Sequence, residues 1–267
     1  MPIDGGSGGD GGHGGGFPLG PDGIPIGFTK ADIGAWKLGD RLEGGAKPSM
    51  DECGSVLLGV VRDHKDGSKP GGHPDFQTFM GHGLKGIVEQ NLGADRKPVY
   101  AHATSTIYTT TPENFRQWYL DVPDVNQTYA IYFYLAPTAG IFTFESNAFF
   151  PLDEAGWGNE GNDHNFHFTT ELHTRFKYNG GETFRFIGDD DLWVFINNKL
   201  AIDLGGLHPV QEDEIALDSA ASALGISVGN DYALDLFHAE RHTDKSNFRV
   251  DTNMQFVDCG EIVPNPR

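Results

Sequence analysis

A chain of 267 residues with 38% hydrophobic side chains can bury a sizeable core, so a globular body is expected. Its 19 Lys and Arg against 38 Asp and Glu give a formal charge of −19, which excludes a nucleic-acid footprint because phosphates demand a basic surface. No run approaches the roughly 18 apolar residues of a membrane-spanning helix, and the acidity either concentrates divalent cations near the surface or serves only solubility.

Met1-Pro2-Ile3-Asp4 leads straight into glycines, without the basic start and apolar segment of a signal peptide. An exported protein of this sequence is therefore expected to be a mature fragment. Residues 5–16 read GGSGGDGGHGGG, with no side chains to bury and high chain entropy; residues 1–22 are expected to be a flexible Gly-rich linker, His13 a solvated bystander. Residues 23–50 form a connecting segment, and whether its Trp36 packs on the main body is open from sequence. The globular domain is expected over 51–260, with a tail at 261–267. Cys53 and Cys259 stand near the two ends of that domain. A disulfide between them is expected, worth on the order of 5 kcal/mol for so long a loop, with two unrelated buried thiols as the alternative.

The pattern within the domain is that of strands. Residues 56–61 are a short apolar run, 127–135 place Tyr129, Ile131, Phe133 and Leu135 at alternate positions, and 183–187 alternate as cleanly. Residues 192–196 are apolar throughout, as in a strand covered on both faces. Asn197-Asn198 suits a tight hairpin turn, and 199–204 form the returning strand. Tyr232, Leu234 and Leu236, then Phe248 and Val250, mark two more strands. One helix is predicted where Thr111 caps, Pro112 takes the first position, and Phe115, Trp118 and Tyr119 share a face; residues 83–92 are a second candidate. Many short strands and few helices imply an all-β sandwich rather than an α/β sheet.

Residues 188–197 read GDDDLWVFIN, three adjacent carboxylates at the mouth of an apolar strand. Such a cluster is costly unless positive charge sits in it, and calcium, which takes about 6–8 oxygen ligands, meets that need. A plain polar turn into the strand is the alternative. Neighbouring strand side chains point to opposite faces, so Asp189 and Asp190 grip one ion only if the backbone breaks there, for instance through a cis peptide.

The runs GDDDLWVFINNKLAIDLGGLHP and LDLFHAERHTDKSNFRV resemble the fibro-slime domain of secreted bacterial surface proteins. Earlier stretches (GVVRDH, HPDF, NFRQWY, FFPLDEAGWGNEGNDHNFHFTTEL, FKYNGGETFRF) fit the same pattern, so the resemblance covers about 53–259. That family is distantly similar to the anthrax protective-antigen-like domain, a β-sandwich that yeast flocculins use as a lectin. The resemblance implies a protective-antigen-like β-sandwich with one or two short helices. It also implies Ca2+ held by consecutive aspartates, here Asp189 and Asp190, and by a later loop, here 241–247 with Asn247 as its asparagine. In the lectins the ion meets sugar hydroxyls directly. Asp191 stands where the related domains often have glycine, and so either adds a ligand or crowds the sugar.

Trp157, in the loop GWGNEG, is a candidate exposed aromatic for ligand contact. Trp193 is a candidate for stacking on a sugar, although its apolar run favours core, and His242 in the 241–247 loop is a further candidate contact. His164 with His167, and His238 with His242, suggest zinc by spacing alone; strand geometry separates the first pair, and no Cys pair or HExxH helix supports either. His208 is expected to stabilise a turn. Asn126-Gln127-Thr128 is a glycosylation sequon, unused if the host is bacterial. A glycosidase needs two carboxylates ~5–10 Å apart, for which Glu171 and Glu240 are the first candidates, but no nucleophile elbow, phosphate loop or cofactor fingerprint appears.

The sequence thus reads as a non-enzymatic, secreted or cell-surface module that uses Ca2+ to bind a polysaccharide or cell-surface glycan, without nucleic acid or membrane insertion. The rival reading is a structural subunit of extracellular matrix or a surface fibre, contacting other matrix or surface proteins. A hydrolase comes third.

Overall fold

The structure, a computed structural model, describes residues 55–263 and the backbone of Trp36–Lys37. Its strands are β1 (Trp36–Lys37), β2 (Val56–His64), β3 (Asn126–Tyr134), β4 (Ala136–Thr138), β5 (Ile141–Ser146), β6 (Phe168–Lys177), β7 (Thr183–Gly188), β8 (Asp191–Ile196), β9 (Lys199–Leu204), β10 (Gln211–Ala216), β11 (Asp231–Glu240), β12 (Phe248–Thr252) and β13 (Gln255–Phe256). Two short helices, α1 (Pro112–Arg116) and α2 (Leu217–Leu224), complete the described elements. The larger sheet runs β1-β3-β2-β6-β11-β8-β9 with β13 also on β6, and the smaller runs β10-β7-β12-β5-β4. All their pairings are antiparallel. The fold is therefore the all-β sandwich that the strand pattern implied.

Strand alternation builds the core between the sheets. Tyr129, Ile131 and Phe133 of β3 point into it with Phe168 of β6, Phe186 of β7 and Phe248 of β12. In β8, Leu192, Val194 and Ile196 join this core, while Trp193 and Phe195 enter a second one with Phe76, Phe115, Trp118 and Phe237. The second core lies on the outer face of the large sheet, roofed by the segment 65–125 that connects β2 to β3. This double cover is the reason β8 carries no polar side chain after Asp191.

The roof contains α1. Thr111 Oγ1 accepts the Asn114 N–H at 3.1 Å, and Pro112 opens the helix where its missing N–H costs nothing. The helix stops at Arg116, short of the expected face: Phe115 lies in it, whereas Trp118 and Tyr119 follow in the turn after it, and all three are buried. Residues 83–92 are not helical. Gly83 and Gly86 hold φ of 89° and 81°, the amides of Gly83 and Leu84 donate to the carbonyls of Leu207 and Gly205, and Val88 bridges Tyr100. The second helix is α2 instead, which has no side-chain N-cap and ends at Gly225 in the left-handed region with φ 71°. Asn197 and Asn198 hold φ of 52° and 62° and close the β8–β9 hairpin, as a primed turn demands. The connecting segment does reach the body: Trp36 and Lys37 pair with Ala130 and Tyr129 as an edge strand. The Gly-rich stretch and Cys53 lie outside the described residues; Cys259 is buried and is not a free thiol.

Candidate functional site

At one end of the sandwich the chain crosses between the sheets twice. It leaves the small sheet at Gly188 and enters the large one at Asp191, then returns from Glu240 to Phe248. The registers Gly188↔Phe248 and Ala239↔Asp191, each extended by one residue, set Asn247 opposite Asp189 and Glu240 opposite Asp190. Gln211 of β10 stands opposite Gly188, which brings residues 207–210 to the same corner.

No peptide among the described residues is cis, so the break expected between Asp189 and Asp190 takes another form. Asp190 adopts a left-handed φ of 54°, a conformation Asp tolerates better than most residues, and so departs from strand alternation. Asp189 accepts twice from Asn247, from its N–H and from its Nδ2, both at 2.6 Å. Asp190 Oδ2 accepts the backbone N–H of Arg241 at 2.8 Å and of His242 at 3.2 Å. Both aspartates thereby hold the 241–247 loop against the corner. Burial raises the Asp189 carboxyl, with the Asn247 hydrogen bonds opposing. It pushes Asp190 up to about 6, Arg241 opposing and Asp191 adding to the rise.

Glu240 is the third acid of the corner and only 1% exposed. Burial first, and then repulsion from Asp190 and Asp189, hold its carboxyl well above the usual range. Its Oε2 has no hydrogen-bond partner, and neither has the buried Ser246 Oγ. Asp189, Asp190 and Glu240 line a pocket of about 400 Å³, together with apolar Met80, Leu207, Pro209 and Val210 and with His242, Asp244 and Lys245. Met80 is 79% and Val210 49% exposed, unusual for such side chains unless something covers them. His242 lines the pocket, with burial lowering its pKa against the pull of Asp244.

Other expected site residues lie elsewhere. Asp191 is fully buried on the outer face, where Oδ1 accepts the Gly206 N–H at 2.6 Å and Oδ2 the Arg241 Nε–H at 2.7 Å. Arg241 also donates to the carbonyls of Asp75 and Tyr108, and its guanidinium lies 4.6 Å over the Trp118 ring. Asp191 therefore neither reaches the pocket nor crowds it; it ties the roof to the sheet. Trp193 is fully buried with Nε1 donating to Asp203, so it is core and not a stacking surface. Trp157 is half-buried, its backbone N–H donates to Asp63, and Lys65 Nζ caps its ring at 3.8 Å; it does not line the pocket. The reason is the same for both indoles: each faces a packed element rather than the corner.

The histidine pairs do not converge. His164 pairs with Asp153 and stacks on Phe150, His167 contacts Glu160 and Gln77, and His238 sits among Phe149, Phe168, Phe186 and Phe248. The His208 ring nitrogens lie 2.9 and 3.1 Å from the carbonyls of Pro209 and Leu204, a turn-holding role. Glu171 is buried on the outer face among Arg62, Lys97 and His173, so it shares no cleft with Glu240. The sequon is sealed: Asn126 is 8% exposed, and its Nδ2 donates to the carbonyls of Gln117 and Leu120.

Among the described residues no group of three or more His, Cys, Asp or Glu side chains is placed so as to hold a metal ion. The donor chemistry nevertheless suits a hard cation. Carboxylates from both crossovers and the Ser246 hydroxyl offer oxygen alone, and two of these buried oxygens lack a partner.

A protein-family model described as PA14 domain matches residues 125–266, more than half of the chain. The chain belongs to the PA14 domain family. Both crossovers fall within the PA14 span, whereas Met80 and the roof come from before it. Protein psiQ of Dictyostelium discoideum is 37% identical over 214 residues, covering 72% of this chain and 21% of psiQ. Protein psiC of the same organism is 34% identical over 209 residues, covering 70% of this chain and 39% of psiC. The chain thus spans between 21% and 39% of the length of these relatives. They come from a eukaryote and lend nothing to the bacterial source that the fibro-slime resemblance implied. Among solved structures, the PA14 sugar-binding domain from RTX adhesin is 11% identical and covers 77% of this chain and 95% of its own, with a TM-score of 0.35.

Proposed function

We propose that this PA14 domain is a non-catalytic, extracellular carbohydrate-binding or adhesion module, of the fibro-slime type, whose ligand meets Ca2+ at the Asp189–Asp190 corner. The observation that carries the reading is the convergence of buried carboxylates from both crossovers on one pocket with an apolar side. Asp189 and Asp190 fix the 241–247 loop through Asn247, Arg241 and His242. Bound calcium would supply the positive charge these acids need and coordination positions open to sugar hydroxyls. Met80, Pro209 and Val210 would lie against the C–H face of a sugar ring, as apolar side chains in saccharide pockets do. A Cys53–Cys259 disulfide fits an oxidising, extracellular setting.

Calorimetric titration of the wild type with calcium tests the reading. Binding below millimolar concentration, lost in Asp190→Ala, is expected; a wild type that takes up no calcium in that range contradicts it. A structural subunit of matrix or surface fibre is the second reading. It is favoured by the commitment of both Asp189 oxygens and of Asp190 Oδ2 to the loop, and it requires self-association or a protein partner in place of a glycan.

A further inference from the structure

Resting on that cation-site reading, we propose that Glu240, with Ser246 beside it, is a ligand of the cation. The ion is then seated between Asp190 and Glu240 on the inner side of the large sheet, while Asp189 is a positioning residue for the loop.

Alternation in β11 sets the direction. Leu234 and Leu236 face the core between the sheets and His238 rings its Phe cage, so Glu240, two residues on, points into the same space at its open mouth. Arg241, of opposite parity, turns to the outer face, and its guanidinium is committed to Asp191 and two carbonyls. Among the described residues no salt bridge reaches Glu240, although it is 1% exposed and stands beside two other acids. A carboxylate in that position is strongly disfavoured unless it is protonated or meets a cation. Asp189 has both oxygens engaged by Asn247, whereas Asp190 leaves Oδ1 outside its bonds to the loop amides. The oxygens left for an ion are therefore those of Asp190, Glu240 Oε2 and Ser246 Oγ; the last two make no hydrogen bond of ordinary geometry, and Glu240 interacts only with Ser246 and Asp190, the other members of the same set. An all-oxygen set of this kind selects a hard cation such as calcium over zinc.

The competing arrangement is a proton shared between Asp190 and Glu240, which needs no metal. Glu240→Gln separates the two, since it keeps volume and hydrogen-bonding capacity and removes the charge. Terbium luminescence displaced by calcium, and the calcium-induced rise in Tm of chelator-treated protein, are the readouts. The variant is expected to melt no lower than wild type in chelator, because repulsion with Asp190 is gone, yet to lose the calcium-induced rise and to bind calcium at least tenfold more weakly. Wild-type calcium affinity and an undiminished rise in Glu240→Gln would overturn the proposal in favour of the shared proton. Should Glu240→Gln not fold, Ser246→Ala decides: a twofold or greater loss of calcium affinity supports the seat, and none overturns it. Calcium binding by wild type without any saccharide binding would sink the lectin reading and leave the role of Glu240 intact. Wild-type affinity in Glu240→Gln would sink the latter alone.

Discussion

Asp191 and Arg241 meet on the outer face of the large sheet, fully buried, with Nε and Nη2 of the arginine each 2.7 Å from Asp191 Oδ2. Removing one partner of such a pair leaves an uncompensated buried charge. Asp191→Ala is therefore expected to lower stability by about 3–5 kcal/mol, read as a fall in the denaturant midpoint. A variant that keeps wild-type stability but loses calcium would return Asp191 to the pocket. The run GDDDLWVFIN announces an acidic corner, yet it does not say which acid faces which way. Direction depends on where alternation breaks, and the break at Asp190 is a left-handed residue that no neighbouring glycine signals. Glu240 drew notice in the sequence only as a hydrolase candidate, because nothing in HAERH reveals its register opposite Asp190. Trp157 misled for a related reason: a loop indole is a free contact surface only if no cation claims its face, and Lys65 caps this one while Asp63 holds the backbone N–H of the same residue.

At the scale of elements, the strands were legible wherever one face or both faces met a core. β3, β7, β8, β11 and β12 all follow the alternation or the unbroken apolar run read from their residues, and β9 follows from the Asn197-Asn198 turn before it. Apart from α1, the roof was not legible, because 65–125 packs by isolated aromatic anchors without a period. Trp118, fully buried and donating Nε1 to Asp75, is such an anchor. Trp118→Ala is expected to cost about 3–5 kcal/mol, measured by chemical denaturation, through the cavity it leaves; a loss under about 1 kcal/mol would mean that the roof is only loosely docked. β2, β6 and β11 also share a buried ion network. Burial alone would lower the His173 pKa, but hydrogen bonds with the Asp235 and Glu171 carboxylates hold it above its ordinary value. A group raised in the folded state stabilises fully below its unfolded pKa of about 6.5 and loses that contribution as pH rises through the folded value. The Tm advantage of wild type over His173→Gln is therefore expected to be largest near pH ~5.5 and to shrink toward pH ~9. An advantage constant across that range would show that His173 does not carry its proton in the fold.

At the scale of the whole molecule, the Asp189–Asp190 corner lies where the chain changes sheets, so the two crossovers arrive together by topology and not by sequence proximity. The formal charge of −19 keeps copies apart and draws divalent cations, which suits a module that acts at an extracellular surface. The apolar side of the pocket comes from the roof and from the β9–β10 loop, so in the proposed lectin role selectivity would be set partly outside the PA14 span. Met80→Gln is expected to weaken saccharide binding severalfold in a direct titration while calcium affinity stays at wild type; a matching fall in both would place Met80 in the folding of the corner instead. The most direct measurement is a glycan array probed with the wild-type domain in calcium and again in chelator. Binding to at least one saccharide class in calcium, abolished by chelator, is the expected result. Silence in both buffers, together with self-association on sizing, would contradict it and favour the structural subunit.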